Sequence, residues 1–232
     1  MPAKIIVSYD GTANEDDALA LGRVFAAAGA HVSVAYVRHT PEHDSEREAL
    51  AQAEAQEILD RGVAQLGVPG AGRHVVIDRS TPEGLASLAS AEGADVIVFC
   101  SDSHTAAGHV AIGNSAARLL EGGRTAVAIA PVDLAERDDI AAVGQIVAVG
   151  DTDGGARQTA DSLAAALGAS VSPVANESTG LLVIDSRPEA DNGRVGITAS
   201  ASHLIEIATS PVLVLPRGAR LQFGRVPAGT AA

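Results

Sequence analysis

The fold of this chain is indicated first by the stretch IIVSYDGT at residues 5–12. The run from Ile5 to Tyr9 is mostly apolar and suits a buried strand, and the Asp-Gly-Thr that follows suits a tight turn. Residues 14–17, Asn-Glu-Asp-Asp, then precede apolar residues at helical spacing. Carboxylates are stabilised near the positive end of a helix dipole. The opening of the chain therefore predicts a strand, a turn and a helix in that order.

The same alternation of strand and helix continues along the chain. Further strands are predicted over residues 31–37, 75–77, 95–100 and 125–130, and further helices over 45–66, from 81 and over 114–120. Thr81 and Pro82 are typical of a helix start, as the capping residue and a first-turn proline. Because strands and helices alternate, we expect an α/β fold with a doubly wound parallel sheet.

The pattern then restarts in a shorter form. The matching stretches are residues 5–10 with 146–151, 94–99 with 179–184, and 125–131 with 210–216. Strands are predicted at 145–149, 170–174, 180–184 and 212–215, with helices near 156–167 and 200–208, but no counterpart of the long helix, the third strand or the helix after it. We therefore predict two tandem domains, the second truncated. Residues 1–132 form the full domain, 133–143 a linker, 144–217 the shortened domain and 218–232 a flexible tail.

Composition restricts the classes of partner. Of the 232 residues 47% are hydrophobic, which predicts a folded core, and the formal net charge of −13 disfavours both nucleic acid and an anionic membrane surface. No apolar run reaches the roughly 20 residues that span a bilayer, and the N-terminus lacks the regions of a signal peptide. A single cysteine, Cys100, cannot form an internal disulfide. These features predict a cytoplasmic protein.

Three features in this order resemble the universal stress protein family. They are the first strand ending in Asp10-Gly11-Thr12, the helix start at Thr81-Pro82-Glu83, and the run at residues 93–98, Gly-Ala-Asp-Val-Ile-Val. The resemblance covers about residues 3–131, and 145–217 in shortened form. It implies an adenine nucleotide alpha hydrolase-like fold and a binding or regulatory protein of the stress response rather than an enzyme.

The family's ATP-binding members carry a glycine loop after the fourth strand, with the spacing G-x2-G-x9-G-[ST]. Glycine lets the backbone approach phosphates, and the helix that follows offers free N–H groups. In this chain the three glycine places fall at Cys100, Ser103 and Gly113, and Asn114 and Ser115 follow. In the second copy the same places fall at residues 185, 188 and 198, which are Asp, Pro and Thr. The loops have therefore lost most of their glycines.

The resemblance places any nucleotide in the first domain, because the family's aspartate at the end of the first strand contacts the adenine side of the ligand. Asp10 matches that aspartate, and Val37 matches the apolar residue that ends the second strand. The cofactor implied is ATP or AMP with Mg²⁺, bound weakly. The candidate nucleotide-binding residues are Asp10, Gly11, Thr12, Val37, Ser101, Ser103, Gly113, Asn114 and Ser115.

Asp10 and the reactive side chains of the loop after the fourth strand also have simpler interpretations, which involve no ligand. Asp10 can cap a turn without binding anything. Cys100 can be a reactive thiolate only beside a cation or a helix N-terminus, and an inert buried thiol is the commoner state. A metal at Asp102, His104 and His109 has no recognised ligand spacing to support it.

Two polar loops offer one candidate catalytic triad and one candidate Mg²⁺ site. A triad of Ser101, His104 and Asp102 would need three neighbours in one loop to reach triad geometry, and the G-x-S-x-G motif is absent. Asp151 and Asp153, at the turn after the first strand of the second copy, are candidate Mg²⁺ ligands, although a solvated turn is the simpler interpretation.

Three functional hypotheses follow from the sequence. The first is a binding protein whose domains pack as an intramolecular pseudo-dimer through Val127–Ala130 and Val212–Leu215, because exposed apolar edge strands tend to pair. A further homodimer is left open as an additional assembly. The second is a slow ATPase, and the third is a degenerate scaffold that acts through protein contacts without a nucleotide.

Overall fold

The computed structural model describes residues 1–102, 104–137, 143–150, 154–176 and 178–224. We refer to residues 1–137 as the first half and to residues 143–224 as the second half. The strands are β1 Lys4–Ser8, β2 His31–Arg38, β3 Gly72–Ile77, β4 Val96–Cys100, β5 Ala126–Ala130, β6 Gln145–Val149, β7 Ser170–Ser172, β8 Leu181–Asp185 and β9 Val212–Leu215. The helices are α1 Asp16–Ala27, α2 Ser45–Leu66, α3 Thr81–Glu92, α4 Asn114–Leu120, α5 Gly155–Leu167 and α6 Ala199–Glu206. Two short 3₁₀ turns cover Ala13–Glu15 and Leu134–Glu136.

The described strands form one sheet in the order β3-β2-β1-β4-β5-β9-β8-β6-β7. Neighbouring strands run parallel within each half, whereas β5 and β9 are antiparallel. The fold prediction is confirmed, and so is the pairing of the last strands of the two halves. The boundaries given for the two domains stay a prediction, since a single sheet runs through both halves.

An approximate two-fold axis relates the halves at the β5–β9 seam. Ala128 faces Leu213 there, and these residues occupy the same place in the two copies of the repeat. Hydrogen bonds across the seam come in matching pairs, because the Val195 N–H donates to the Gly123 carbonyl at 2.8 Å and the Val110 N–H donates to the Ala208 carbonyl at 3.0 Å. The symmetry therefore extends from the strands into the loops beside them.

Two apolar layers hold the helices on the sheet. One layer packs α1, α2 and α5 on one face, with large buried side chains such as Phe25, Leu59 and Leu163. The other layer packs α3, α4 and α6 on the opposite face, with Leu85, Leu119 and Ile205. Helices on both faces are the doubly wound arrangement that the alternating sequence predicts.

The ends of several elements follow local chemistry. The helix α2 has its predicted bounds because the Asp44 carboxylate accepts hydrogen bonds from the Glu46 and Arg47 N–H groups, and Gly67 ends it with φ of 66°. Ser80, not Thr81, is the N-cap of α3, so that prediction is wrong by one residue. The strand β7 stops at Ser172 rather than residue 174, because the Ser172 hydroxyl bonds with the Val174 backbone and bends the chain.

The segment after β5 is more ordered than a linker. The Asp17 carboxylate on α1 accepts hydrogen bonds from the Asp133 and Ala135 N–H groups at 3.0 and 2.8 Å. Leu134 is buried in the layer formed by α1, α2 and α5. Residues 133–137 are thus docked on α1, while residues 138–142 of the predicted linker lie outside the described part of the chain.

Residues 218–224, which the sequence assigns to a flexible tail, pack against both halves of the chain. The side chains of Leu221 and Phe223 are only 6% and 9% exposed, and the Phe223 ring stacks on Phe25 with 6.0 Å between centroids. The N–H groups of Leu221 and Phe223 donate to the Thr159 and Ser162 hydroxyls of α5. The segment therefore crosses from α5 to α1 and joins the two halves, and residues 225–232 lie outside the described part.

Among the described residues, no helix combines the length and the hydropathy that a bilayer-crossing segment requires.

Candidate functional site

The first crevice lies at the carboxyl end of β1, where the sheet order reverses. The strand β1 has β2 on one side and β4 on the other, and Val7 pairs with Val34 and Val98. Ligands of open α/β sheets bind in the crevice at such a reversal. The residues that follow β1 and β4, Asp10 and Ser101, are therefore brought to the same edge of the sheet.

Asp10 shapes the turn at this edge. Its carboxylate accepts a hydrogen bond from the Thr12 N–H at 2.9 Å, and Gly11 between them has φ of 88°, which favours glycine. Asp10 and Thr12 are exposed to solvent. The turn-capping interpretation of Asp10 therefore describes this backbone contact.

Glu15 is a member of this crevice that sequence reasoning missed. Its side chain turns back from the 3₁₀ turn and accepts a hydrogen bond from the Asp10 N–H. Burial, and then the hydrogen bond with Asp10, raise the pKa of Glu15 to about 9. Burial also raises the pKa of Asp10, but hydrogen bonds from Glu15 and Thr12 outweigh it and the net direction is downward.

The two carboxyl groups therefore share one proton and one negative charge at neutral pH, with the proton on Glu15. From the sequence, Glu15 is expected only to stabilise the first turn of a helix. The signal that could have found it is its spacing from Asp10, since a 3₁₀ turn brings a residue five positions later back over the strand end.

Cys100 ends β4 behind this carboxyl pair. Burial, and then the nearby Glu15 carboxyl, raise the pKa of the Cys100 thiol to about 12. The Asn14 side-chain amide donates a weak hydrogen bond to its sulfur at 3.8 Å. A reactive thiolate requires a lowered pKa. The structure therefore supports the inert thiol.

Ser101 has a structural role instead of an open ligand position. It is 2% exposed, and its hydroxyl donates to the Ala130 carbonyl at 2.6 Å and accepts from the Ala111 N–H at 3.0 Å. Ser186 repeats both bonds in the second half, to Leu215 and from Gly196. Because the Ser101 proton is engaged by a backbone carbonyl and not by a histidine, the triad is excluded.

The remaining candidates spread around the crevice. The Val37 side chain is buried under α3, in the layer opposite α1, so only its backbone is available at the edge. Gly113 is the N-cap of α4 with φ of −71°, and open space lies where a Cβ would stand. Asn114 and Ser115 line a cavity of about 550 Å³ with Pro82 and Arg118. Ser103 lies outside the described residues.

The histidines of the loop after β4 do not build a metal centre. The Asp102 carboxylate accepts a hydrogen bond from the His104 N–H at 3.0 Å, and the His104 Nδ1 is 3.8 Å from the same carboxylate on the surface. Within the described ranges no three His, Cys, Asp or Glu side chains are grouped to hold a metal ion. Asp151 and Asp153, the other candidate Mg²⁺ ligands, lie outside those ranges.

A second crevice lies at the equivalent edge of the second half, beyond β6 and β8. It holds a cavity of about 410 Å³ that is lined by Arg187, Arg217 and Arg220 among other residues. The Asp185 carboxylate, at the first glycine place of the family loop, accepts a hydrogen bond from the Ala156 N–H at 2.7 Å. Sequence reasoning missed Arg217 and Arg220 because they follow the last strand, one as the final residue of the predicted shortened domain and the other in the assigned tail.

Comparison with known proteins agrees with this architecture. A solved universal stress protein from Archaeoglobus fulgidus DSM 4304 is 14% identical, with a TM-score of 0.67 over 93% of this chain and 98% of that one. A functionally unknown protein from Pseudomonas aeruginosa PAO1 is 15% identical, with a TM-score of 0.60 over 94% and 93% of the two chains. No curated protein matches the chain. At sequence identities this low, the structural similarity shows that the fold is shared and no more.

The family model described as "Universal stress protein family" matches residues 1–131, the part that holds the first crevice with Asp10 and Gly113. That match covers more than half of the 232 residues, and the chain therefore belongs to the universal stress protein family.

Proposed function

We propose that this protein is a regulatory binding protein of the cytoplasmic stress response that takes an adenine nucleotide, weakly, in the first crevice. The observation that carries the proposal is the open edge at the β2-β1-β4 reversal, where the exposed Asp10 turn lies on one side and Gly113 leaves space beside the start of α4. The nucleotide class itself comes from family membership.

Each side of this edge suits a different part of a nucleotide. The Asp10 carboxylate can accept hydrogen bonds from ribose or adenine donors. The backbone beyond Gly113, with the polar side chains of Asn114 and Ser115, can donate to phosphate oxygens. The carbonyl of Val37 at the end of β2 is a further acceptor at the adenine side. These are the roles of the family's nucleotide-binding residues, carried over to the residues of this chain that match them.

The charge of the crevice explains why we propose weak binding. The Asp10–Glu15 pair carries one negative charge, and Asp102 in the loop adds another. The only lysine of the chain, Lys4, begins β1 at the opposite edge of the sheet. Arg118 and Glu121 both line the cavity beside Asn114 and Ser115 and offset each other, so phosphates would meet the negative charge of Asp10 and Asp102 without a lysine to balance it. Asp10 offers one ionised carboxylate, so Mg²⁺ would be held largely by the phosphates that it accompanies.

A scaffold that binds no nucleotide is the second candidate. The observations that favour it are Cys100 at the first glycine place and the Glu15 carboxyl over the strand end. A side chain at that glycine place hinders the approach of the backbone to phosphates, and Glu15 lies close to Cys100. The proposed ATPase has less support, because neither a lysine nor a group of metal ligands lies at the crevice among the described residues.

The test is a thermal-shift and calorimetric titration with ATP, ADP, AMP and cyclic AMP, on the parent chain and on Gly113→Val. The φ of Gly113 is open to any residue, so valine fills the space without backbone strain. Gly144→Val is the matched control, since Gly144 also has open space and lies at the amino end of β6.

We expect a ligand-induced shift in the parent chain and in Gly144→Val, and its loss in Gly113→Val. A shift that survives Gly113→Val would refute the placement in the first crevice. No shift at millimolar ligand in the parent chain would support the scaffold that binds no nucleotide. Phosphate release above a buffer blank would support the ATPase.

A further inference from the structure

The second crevice differs in charge from the first. Arginines from two segments line its cavity of about 410 Å³: Arg187 follows β8, and Arg217 and Arg220 follow β9. Among the described lining residues, Asp185 is the acidic side chain. In a chain of net charge −13, this edge therefore concentrates positive charge.

Arg217 is held in place by the loop between β8 and α6. Its guanidinium donates one hydrogen bond to the Ala190 carbonyl at 2.7 Å. Its backbone N–H donates to the Arg194 carbonyl at 2.8 Å, and its carbonyl accepts from the Gly193 N–H at 2.9 Å. One nitrogen of the guanidinium is thus used for positioning, and a guanidinium has further donors for a ligand.

The three arginines make no ion pair within the ranges that the structure describes. The ion pairs found there involve Arg38, Arg73, Arg157, His104 and His203. Arg187 and Arg220 are exposed and have no side-chain hydrogen bond to a described residue. Their charge is therefore not neutralised by the described carboxylates of the chain.

The one lining carboxylate is engaged at a helix start. Asp185 accepts from the Ala156 N–H at 2.7 Å in the first turn of α5, where a negative charge is stabilised by the helix dipole. Neutral donors complete the wall, since Asn192 and Ser200 also line the cavity. Among the described residues that line the cavity, three positive charges therefore stand against one negative charge.

We propose that this cavity binds a small polyanion, a molecule with two or more phosphate or carboxylate groups, through the guanidiniums of Arg187, Arg217 and Arg220. Guanidinium groups match both kinds of anion through paired N–H donors. The volume suits a molecule of metabolite size. The mode differs from a glycine loop, because Pro188 at the second glycine place has no N–H to donate. The site is separate from the first crevice and does not depend on the nucleotide proposed there.

The test is isothermal titration of the full chain with pyrophosphate and with citrate, at constant ionic strength set with sodium chloride. The two probes distinguish phosphate from carboxylate recognition. The variant is Arg217→Gln with Arg220→Gln. The charge-matched control is Arg47→Gln with Arg79→Gln, two exposed arginines in the first half that make no ion pair with a described residue.

We expect at least one probe to bind the parent chain and the control alike, and the double variant to bind it on the order of tenfold more weakly or worse. Arg187→Gln supplies a second variant whose side chain makes no hydrogen bond to the described residues, and we expect weakening there too. Gly113→Val should bind the probe normally. Absence of binding by both probes, or equal binding by all variants, would overturn the proposal.

Discussion

Replacing Phe223 by alanine should destabilise the whole protein, although the sequence places this residue in a flexible tail. The side chain is 9% exposed, stacks on Phe25 at 6.0 Å, and lies in the segment that joins α5 to α1. Buried Phe→Ala substitutions cost about 3–5 kcal/mol. We take the lower end, about 3 kcal/mol, because the side chain keeps some exposure.

A loss of that size is measurable in a single melting curve. For a chain of this length 1 kcal/mol corresponds to roughly 2–4 °C, so Phe223→Ala should lower Tm by about 6–12 °C. Circular dichroism or calorimetry at one protein concentration provides the measurement. Val174→Ala is the control, because Val174 is 66% exposed and should change stability by no more than about 0.5 kcal/mol. A decrease below about 2 °C for Phe223→Ala would refute the docking of this segment.

Three other predictions concern the repeat and two carboxyl groups. Ser101→Ala and Ser186→Ala should each lower stability by a similar amount, about 1–2 kcal/mol in denaturant unfolding, because each leaves a buried carbonyl without its donor and a backbone N–H without its acceptor; clearly unequal losses would contradict the repeat. Glu15→Gln should flatten the pH dependence of Tm: a folded-state pKa near 9, above its usual 4.5, gives stability that is full below pH 4.5 and declines up to about pH 9. An unchanged slope between those values would count against the shared proton. Glu48 pairs with Arg38, mainly through their hydrogen bond, and its pKa falls to about 2, so its stabilisation is present above pH 4.5 and is lost as pH falls toward 2; Glu48→Gln should reduce that acid-side loss in an acid titration, and an identical curve would reject it.

Much of the architecture could be predicted because it depends on local patterns. The helices α2 and α4 and the strands β6 and β9 have the bounds that periodicity and turn residues predict. Repetition of the pattern predicts two related halves and the pairing of their last strands, and the seam of Ala128 with Leu213 agrees. Short elements were less predictable, because β3 begins three residues earlier, at Gly72, through pairing with β2 rather than through its own pattern.

The candidate site was predictable only in its position along the chain. Asp10 and Gly113 were identified through the resemblance to the universal stress protein family, which matches one after a strand and the other before a helix. The use of each side chain depends on neighbours distant in sequence: Ser101 is committed to Ala130, and Cys100 is kept neutral by burial and by Glu15. No sequence pattern within the loop reports such contacts.

By itself, the sequence determined the order and type of the elements, the two-part repeat and the family, because hydrophobic period, turn residues and repetition are properties of neighbouring residues. Only the tertiary structure decided which residues distant in sequence come into contact. It placed Glu15 against Asp10, brought Arg217 and Arg220 back beside Arg187, and buried Phe223 on Phe25. Those contacts join segments that are far apart in the sequence. Their energy comes from burial and from interactions between charges that only the fold brings together.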